Sequence, residues 1–146
     1  MFKASEDPER IKDFIVEKIK NAKIAKKLTI IDGYFFSNGA YSFVLETVVD
    51  IVTLLNGKIK ELHIVTSNSS YNERNLERLE KKLPNLSITV TKNNLFHDRF
   101  WIIDDKLAFV VGASINGFGK KHFFIQDDFL SERDTVAIME MYTVKE

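Results

Sequence analysis

The sequence predicts an α/β fold, a mixed, largely parallel sheet with helices on both faces. Two observations carry this. Apolar runs rich in β-branched residues alternate with helical patterns of about 10 to 16 residues along the first two thirds of the chain, the order of strand–helix–strand crossovers. Residues 97–116 then read HDRFWIIDDKLAFVVGASIN, two strand-like runs about a polar turn, which adds an antiparallel hairpin. At 146 residues, 45% hydrophobic and 29% charged, the chain is expected to form one domain over 1–146.

Each element has its own signal. Asp7-Pro8 opens a helix with an acceptor at the cap and proline at the first helical position, and Ile11, Phe14, Ile15, Ala22 and Ile24 give it an apolar stripe. Leu28 to Phe36 reads as a buried strand, too apolar for an edge. Asp32 falls where that strand should end, the functional end of an open α/β sheet, although an Asp-Gly pair is also an ordinary turn. Ser37-Asn38-Gly39 precedes a helix from about Ala40 to Leu55 that is apolar over more than one face, the mark of a sandwiched helix or of an oligomer interface.

Lys58 to Thr66 is the next strand, with His63 alternating away from Leu62 and Ile64 as a packed or surface histidine. Ser70-x-x-Glu73 has the form of a capping box, Leu76, Leu79 and Leu83 make a narrow stripe, and Pro84 stops the helix. Leu86 to Thr91 alternates as a strand before the hairpin. Past Asn116, His122 to Ile125 reads as a further strand, and Ser131 to Tyr142 as a helix in preference to a strand.

Composition narrows the chemistry. Twenty-one Lys plus Arg balance twenty-one Asp plus Glu, so any attraction for a polyanion must be local. With no cysteine and three histidines, thiolate nucleophiles, disulfides and a zinc cluster are not expected, and no metal or cofactor is assigned. No basic-then-apolar leader and no run of ~18 uncharged apolar residues is present, which makes the cytoplasm the expected location.

Within the hairpin, strand alternation puts His97, Arg99, Trp101 and Ile103 on one face, and Asp98, Phe100, Ile102 and Asp104 on the other. An imidazole beside a guanidinium offers a nucleophile that is neutral near pH 7 and a planar fork for anionic oxygens. Ser114, Asn116 and the N–H groups around Gly112 are candidate further donors. Lys120 and Lys121 follow in a glycine-rich stretch and are candidate contacts to a phosphate backbone. Taken singly, each of these residues reads as a surface group or turn former; their joint order favours a site.

That order, His97-x-Arg99-x4-Asp104 followed by Gly112-Ala113-Ser114-Ile115-Asn116, resembles the signature of the phospholipase D superfamily (HKD-type), His-x-Lys-x4-Asp-x6-Gly-Ser-x-Asn. Arginine stands where the family has lysine, and the second half is one residue longer in the turn and one longer between the glycine and the serine. The resemblance implies a phospholipase D-like half-domain carrying one copy of the motif. Since that family uses two copies, it implies a homodimer with a shared site. There one His97 would attack phosphorus to form a phosphohistidine while the other acts as acid and then as base, without a metal.

Under the resemblance His97, Arg99, Asp104, Ser114 and Asn116 are the catalytic set, and Gly112, Lys120 and Lys121 bind substrate. Asp104 would position the hairpin, and Asp127, with Asp128 as competitor, would be the later carboxylate that orients the histidine. The function expected is a metal-independent phosphodiesterase, a nuclease in particular, with a phosphodiester such as a nucleic acid as its substrate. The alternatives are a catalytically impaired phosphate- or nucleic-acid-binding module and a dimerising accessory domain organised around the apolar second helix.

Overall fold

In the computed structural model the described residues are 1–22, 25–37, 41–94 and 98–143. The elements in order are α1 (Pro8–Lys20), β1 (Lys27–Ile31), α2 (Tyr41–Leu54), β2 (Glu61–Thr66), α3 (Glu73–Lys82), β3 (Ser87–Lys92), β4 (Phe100–Ile103), β5 (Leu107–Val110), a 3₁₀ turn at Ile115–Gly117, and α4 (Glu132–Tyr142). The fold is α/β. Five strands form one sheet in the order β3-β2-β1-β4-β5. β1 pairs parallel with β2, and β2 with β3, whereas β4 is antiparallel to both β1 and β5. The sheet is therefore mixed, its parallel half built by two crossovers and its antiparallel half by the hairpin.

The crossovers run in one direction, β1 to β2 to β3, so right-handed connections set α2 and α3 on the same side. Leu28 and Ile30, Leu62 and Ile64, Trp101 and Ile103 point to that side and merge with α1 and α2 into the main core. Alternation sends Ile31, Val65, Phe100 and Ile102 to the other side, where they pack with Tyr142, Ile138 and Met139 of α4. Helices cover both faces, as expected, but unequally.

Local chemistry explains the boundaries. The Asp7 carboxylate accepts the Glu9 N–H at 3.0 Å ahead of Pro8, which starts α1. β1 stops at Ile31, short of Phe36, because the Asp32 carboxylate takes the Tyr34 N–H at 3.0 Å and turns the chain. Phe35 and Phe36 are buried all the same, stacked around Tyr41. α3 is capped by Asn72, whose side chain accepts the Asn75 N–H, rather than by Ser70. The Ser131 hydroxyl accepts the Asp134 N–H and makes Ser131–Tyr142 a helix. Residues 122–125 contribute only isolated bridges, Phe2 to Phe123 and Val111 to Ile125, in place of the expected strand.

Val44, Leu45, Val48, Ile51 and Val52 of α2 are buried in the chain's own core, while Phe43 and Val49 are half-buried and Leu54 is exposed. Ile24, the Asn38-Gly39 turn with Ala40, and His97 lie outside the described residues. Among the described residues no helix is long and apolar enough to cross a membrane.

Candidate functional site

The C-terminal ends of β1, β2 and β3 meet the start of β4 at one edge of the sheet. In an open α/β sheet this is where side chains from several loops can converge without breaking the strand pairing. β1 delivers Asp32, Gly33 and Tyr34, β2 delivers Ser67 and Ser69, and the residues before β4 deliver Asp98 and Arg99. Together with Asn94 these last six surround a cleft of about 290 Å³ above the buried Asp32. The loops are tied together: the Ser67 hydroxyl donates to the Gly33 carbonyl at 2.9 Å, and the Asn68 N–H to the Asn94 side chain at 3.3 Å.

Asp32 is the centre of this edge and is 1% exposed. Ser114, delivered by the turn after β5, donates its hydroxyl toward both carboxylate oxygens at 2.8 and 2.7 Å. The Ile115 N–H donates to the same group at 3.1 Å. Burial pushes the Asp32 carboxyl above the usual carboxylate range, opposed by Ser114, the Tyr34 and Ile115 N–H groups, and the Arg99 charge.

Arg99 approaches Asp32 only to 3.9 Å through Nε, and that nitrogen is buried with no hydrogen-bond partner among the described residues. Its guanidinium carbon lies 5.9 Å from the centre of the Tyr34 ring, within cation–π range. The side chain is 29% exposed at the cleft. A cation held between an already engaged carboxylate and an aromatic ring, its side chain partly exposed at the cleft, is suited to bind an anion entering there.

The structure redistributes the residues expected from the sequence. Arg99 lines the cleft. Ser114 reaches the same edge, but its hydroxyl serves Asp32 and is not presented to a ligand. Asn116 is half-buried on the 3₁₀ turn beside Ser114. Asp104 does not join them: its carboxylate accepts the Lys26 and Lys27 N–H groups at 2.8 and 2.9 Å, at the start of β1. A five-residue strand separates this point from Asp32, about 15 Å at the usual rise. Asp104 therefore pins the hairpin to β1, with no place in the cleft.

Gly112 is glycine for a packing reason. A Cβ there would lie 2.8 Å from the Phe124 carbonyl oxygen, and its N–H donates to that oxygen at 2.7 Å, so this donor is not offered to substrate. Lys120 and Lys121 are exposed, on a segment where Gly119 packs against Glu6 and Pro8 at the start of α1. Asp127 and Asp128 are exposed, and the Asp127 carbonyl accepts the Lys18 ammonium, which sits 5.1 and 4.6 Å from the Phe109 and Phe129 ring centres. His97 falls outside the described residues.

The Asp32-Gly33 pair reads in the sequence first as a turn and only second as a site, and no motif there singles out Tyr34, Ser67, Ser69 or Asn94. The signal was positional: each stands just past a strand of the parallel half, where such sheets gather their sites.

No family model and no curated protein matches the chain. Among solved structures, TrmBL2, an archaeal chromatin protein whose structure is described as showing a novel mode of DNA binding, aligns over 96% of this chain and 48% of its own, with a TM-score of 0.49 and 8% identity. This chain thus spans about half the length of that protein, and at such a score the likeness carries neither family nor activity across.

Proposed function

We propose that the cleft at the C-terminal edge of the sheet binds a phosphate ester, with Arg99 as the anchor for its oxygens. The observation that carries this is the placement of Arg99: a partly exposed cationic side chain lining the cleft, its buried Nε 3.9 Å from a carboxylate already engaged by Ser114, Ile115 and Tyr34. Ser67, Ser69 and Asn94 bring neutral polar groups to the same cleft and Asp98 an acidic one, so an incoming phosphate meets neutral donors and the Arg99 cation across from a single carboxylate. Titration with inorganic phosphate should shift the Arg99, Tyr34 and Ser67 resonances and leave Lys26, Lys27 and Asp105, at the far end of β1, unmoved. Unchanged Arg99 signals overturn the reading.

A second reading is hydrolysis of a phosphodiester in the cytoplasm, in the phospholipase D-like manner. The order His97-x-Arg99 supports it, since the motif's cation is the residue that lines the cleft. One motif copy per chain then calls for a homodimer with two His97 side chains at a twofold axis. A monomer by sedimentation at assay concentration, or activity that survives His97→Ala, removes this second reading and leaves phosphate binding standing.

A further inference from the structure

Resting on that phosphate reading, we infer that the ligand is single-stranded nucleic acid, with a base stacked on Tyr34 and a neighbouring nucleotide held at Lys92 and Tyr71. Tyr34 is 54% exposed, an unusual state for a tyrosine whose neighbours Phe35 and Phe36 are fully buried. It lines the cleft with Arg99, so an aromatic surface and a phosphate-binding cation stand at one point. That combination suits a ligand joining a flat ring to a phosphate. A sugar phosphate would offer its phosphate to the cation but bring no flat π surface to the ring.

A second pair of the same kind lies along the same edge. Lys92, the last residue of β3, is exposed and places its ammonium 4.4 Å from the centre of the Tyr71 ring. β3 is separated from β1 by β2 alone and β4 lies beyond β1, so Lys92 stands about two strand spacings, ~10 Å, from the strand that carries Tyr34 and about three, ~14 Å, from the one that Arg99 enters. Lys92 shares the parity of Ile88 and Val90, which pack with the main core. Arg99 shares that of Trp101 and Ile103, so both cations belong to the same side of the sheet. Ser67 and Ser69 occupy the cleft between the strand ends. Two cation–aromatic pairs separated by small polar residues repeat the phosphate-and-base alternation of a short single strand, and such a track favours no particular base.

The test compares three probes on the full chain: inorganic phosphate, ribose 5-phosphate and a 5′-phosphorylated thymidine dinucleotide, measured by calorimetry at fixed salt. The dinucleotide should bind about tenfold tighter than ribose 5-phosphate, the gain typical of base stacking on an aromatic side chain. Tyr34→Ala should remove most of that margin, taken as the ratio of dinucleotide to ribose 5-phosphate affinity within each variant, whereas Tyr34→Phe should keep it. Lys92→Ala should weaken the dinucleotide and spare ribose 5-phosphate. Equal affinity for the dinucleotide and ribose 5-phosphate, or a dinucleotide margin that survives Tyr34→Ala, overturns the inference while phosphate binding stands. Failure of all three probes overturns both.

Discussion

The Ser114 hydroxyl sits 2.8 and 2.7 Å from the two oxygens of the Asp32 carboxylate, joining positions 82 residues apart at the buried edge of the sheet. This contact makes the turn after β5 part of the site, because it locks the Ile115 N–H onto the same carboxylate. Ser114 thereby supports the group beside Arg99 instead of meeting the ligand itself.

Ser114→Ala should accordingly act on stability. It strips a hydroxyl donor from a carboxylate that is almost completely buried, and a loss of that kind costs about 1–3 kcal/mol. Urea denaturation should show the shift, and Asn116→Ala, at a half-buried position on the neighbouring turn, should move the midpoint far less. Equal effects from the two variants would show that Ser114 does not support the buried carboxylate.

The raised proton affinity of Asp32 has a sign that can be read in stability. A carboxyl that holds its proton more tightly folded than unfolded contributes stability below its unfolded pKa, ~3.9, and loses that contribution as pH rises through the higher folded value. Relative to Asp32→Asn, the wild type should lose stability as pH rises from about 4 through the raised folded value and level off above it, by about 1.4 kcal/mol for each unit separating the two pKa values. The Asn variant also misplaces one acceptor, but that cost does not vary with pH. A difference that grows in favour of the wild type as pH rises would mean that Ser114, Ile115, Tyr34 and Arg99 outweigh burial.

Asp104 is expected to be structural. Its carboxylate accepts two backbone N–H groups, and its φ of 54° lies in the left-handed region, which aspartate tolerates better than alanine. Asp104→Ala should lower stability by about 1–3 kcal/mol and leave phosphate affinity unchanged. A variant with normal melting and lost phosphate binding would return Asp104 to the site.

These outcomes reflect what a sequence can encode locally. The period-2 and period-3.6 patterns located the sheet strands and helices but overran β1 past Ile31 and read a strand into 122–125, and the parity of Trp101 and Ile103 against Phe100 and Ile102 was legible because each face buries a separate apolar cluster. Arg99 was legible from its motif. Parity does not say which end of a strand a residue serves, so Asp104 was grouped with residues about a strand's length away. The Asp32 to Ser114 contact crosses 82 positions, and Asp-Gly and Gly-Ala-Ser each look like turns when read alone. Gly112 illustrates the same limit: its close approach to Phe124 depends on a neighbour supplied by the tertiary fold.

The choice between binding and turnover rests on Arg99. If the cleft only binds, Arg99→Lys should weaken phosphate affinity about three- to tenfold, because a planar fork that meets two oxygens becomes a point charge on a flexible stem. If the cleft also hydrolyses phosphodiesters, Arg99→Lys should keep or raise activity, since lysine is the residue in the motif this hairpin resembles and a compact ammonium demands less room. The measurement is calorimetry with inorganic phosphate on wild type and Arg99→Lys, beside an assay on a generic phosphodiester in EDTA with His97→Ala as control. Weaker binding with no activity in any variant supports the binding site alone. Activity in EDTA that is retained by Arg99→Lys and abolished by His97→Ala supports the phosphohistidine route, whereas activity that disappears with EDTA eliminates it. Phosphate affinity unchanged by both Arg99→Lys and Arg99→Ala would remove Arg99 as the anchor, and with it the site.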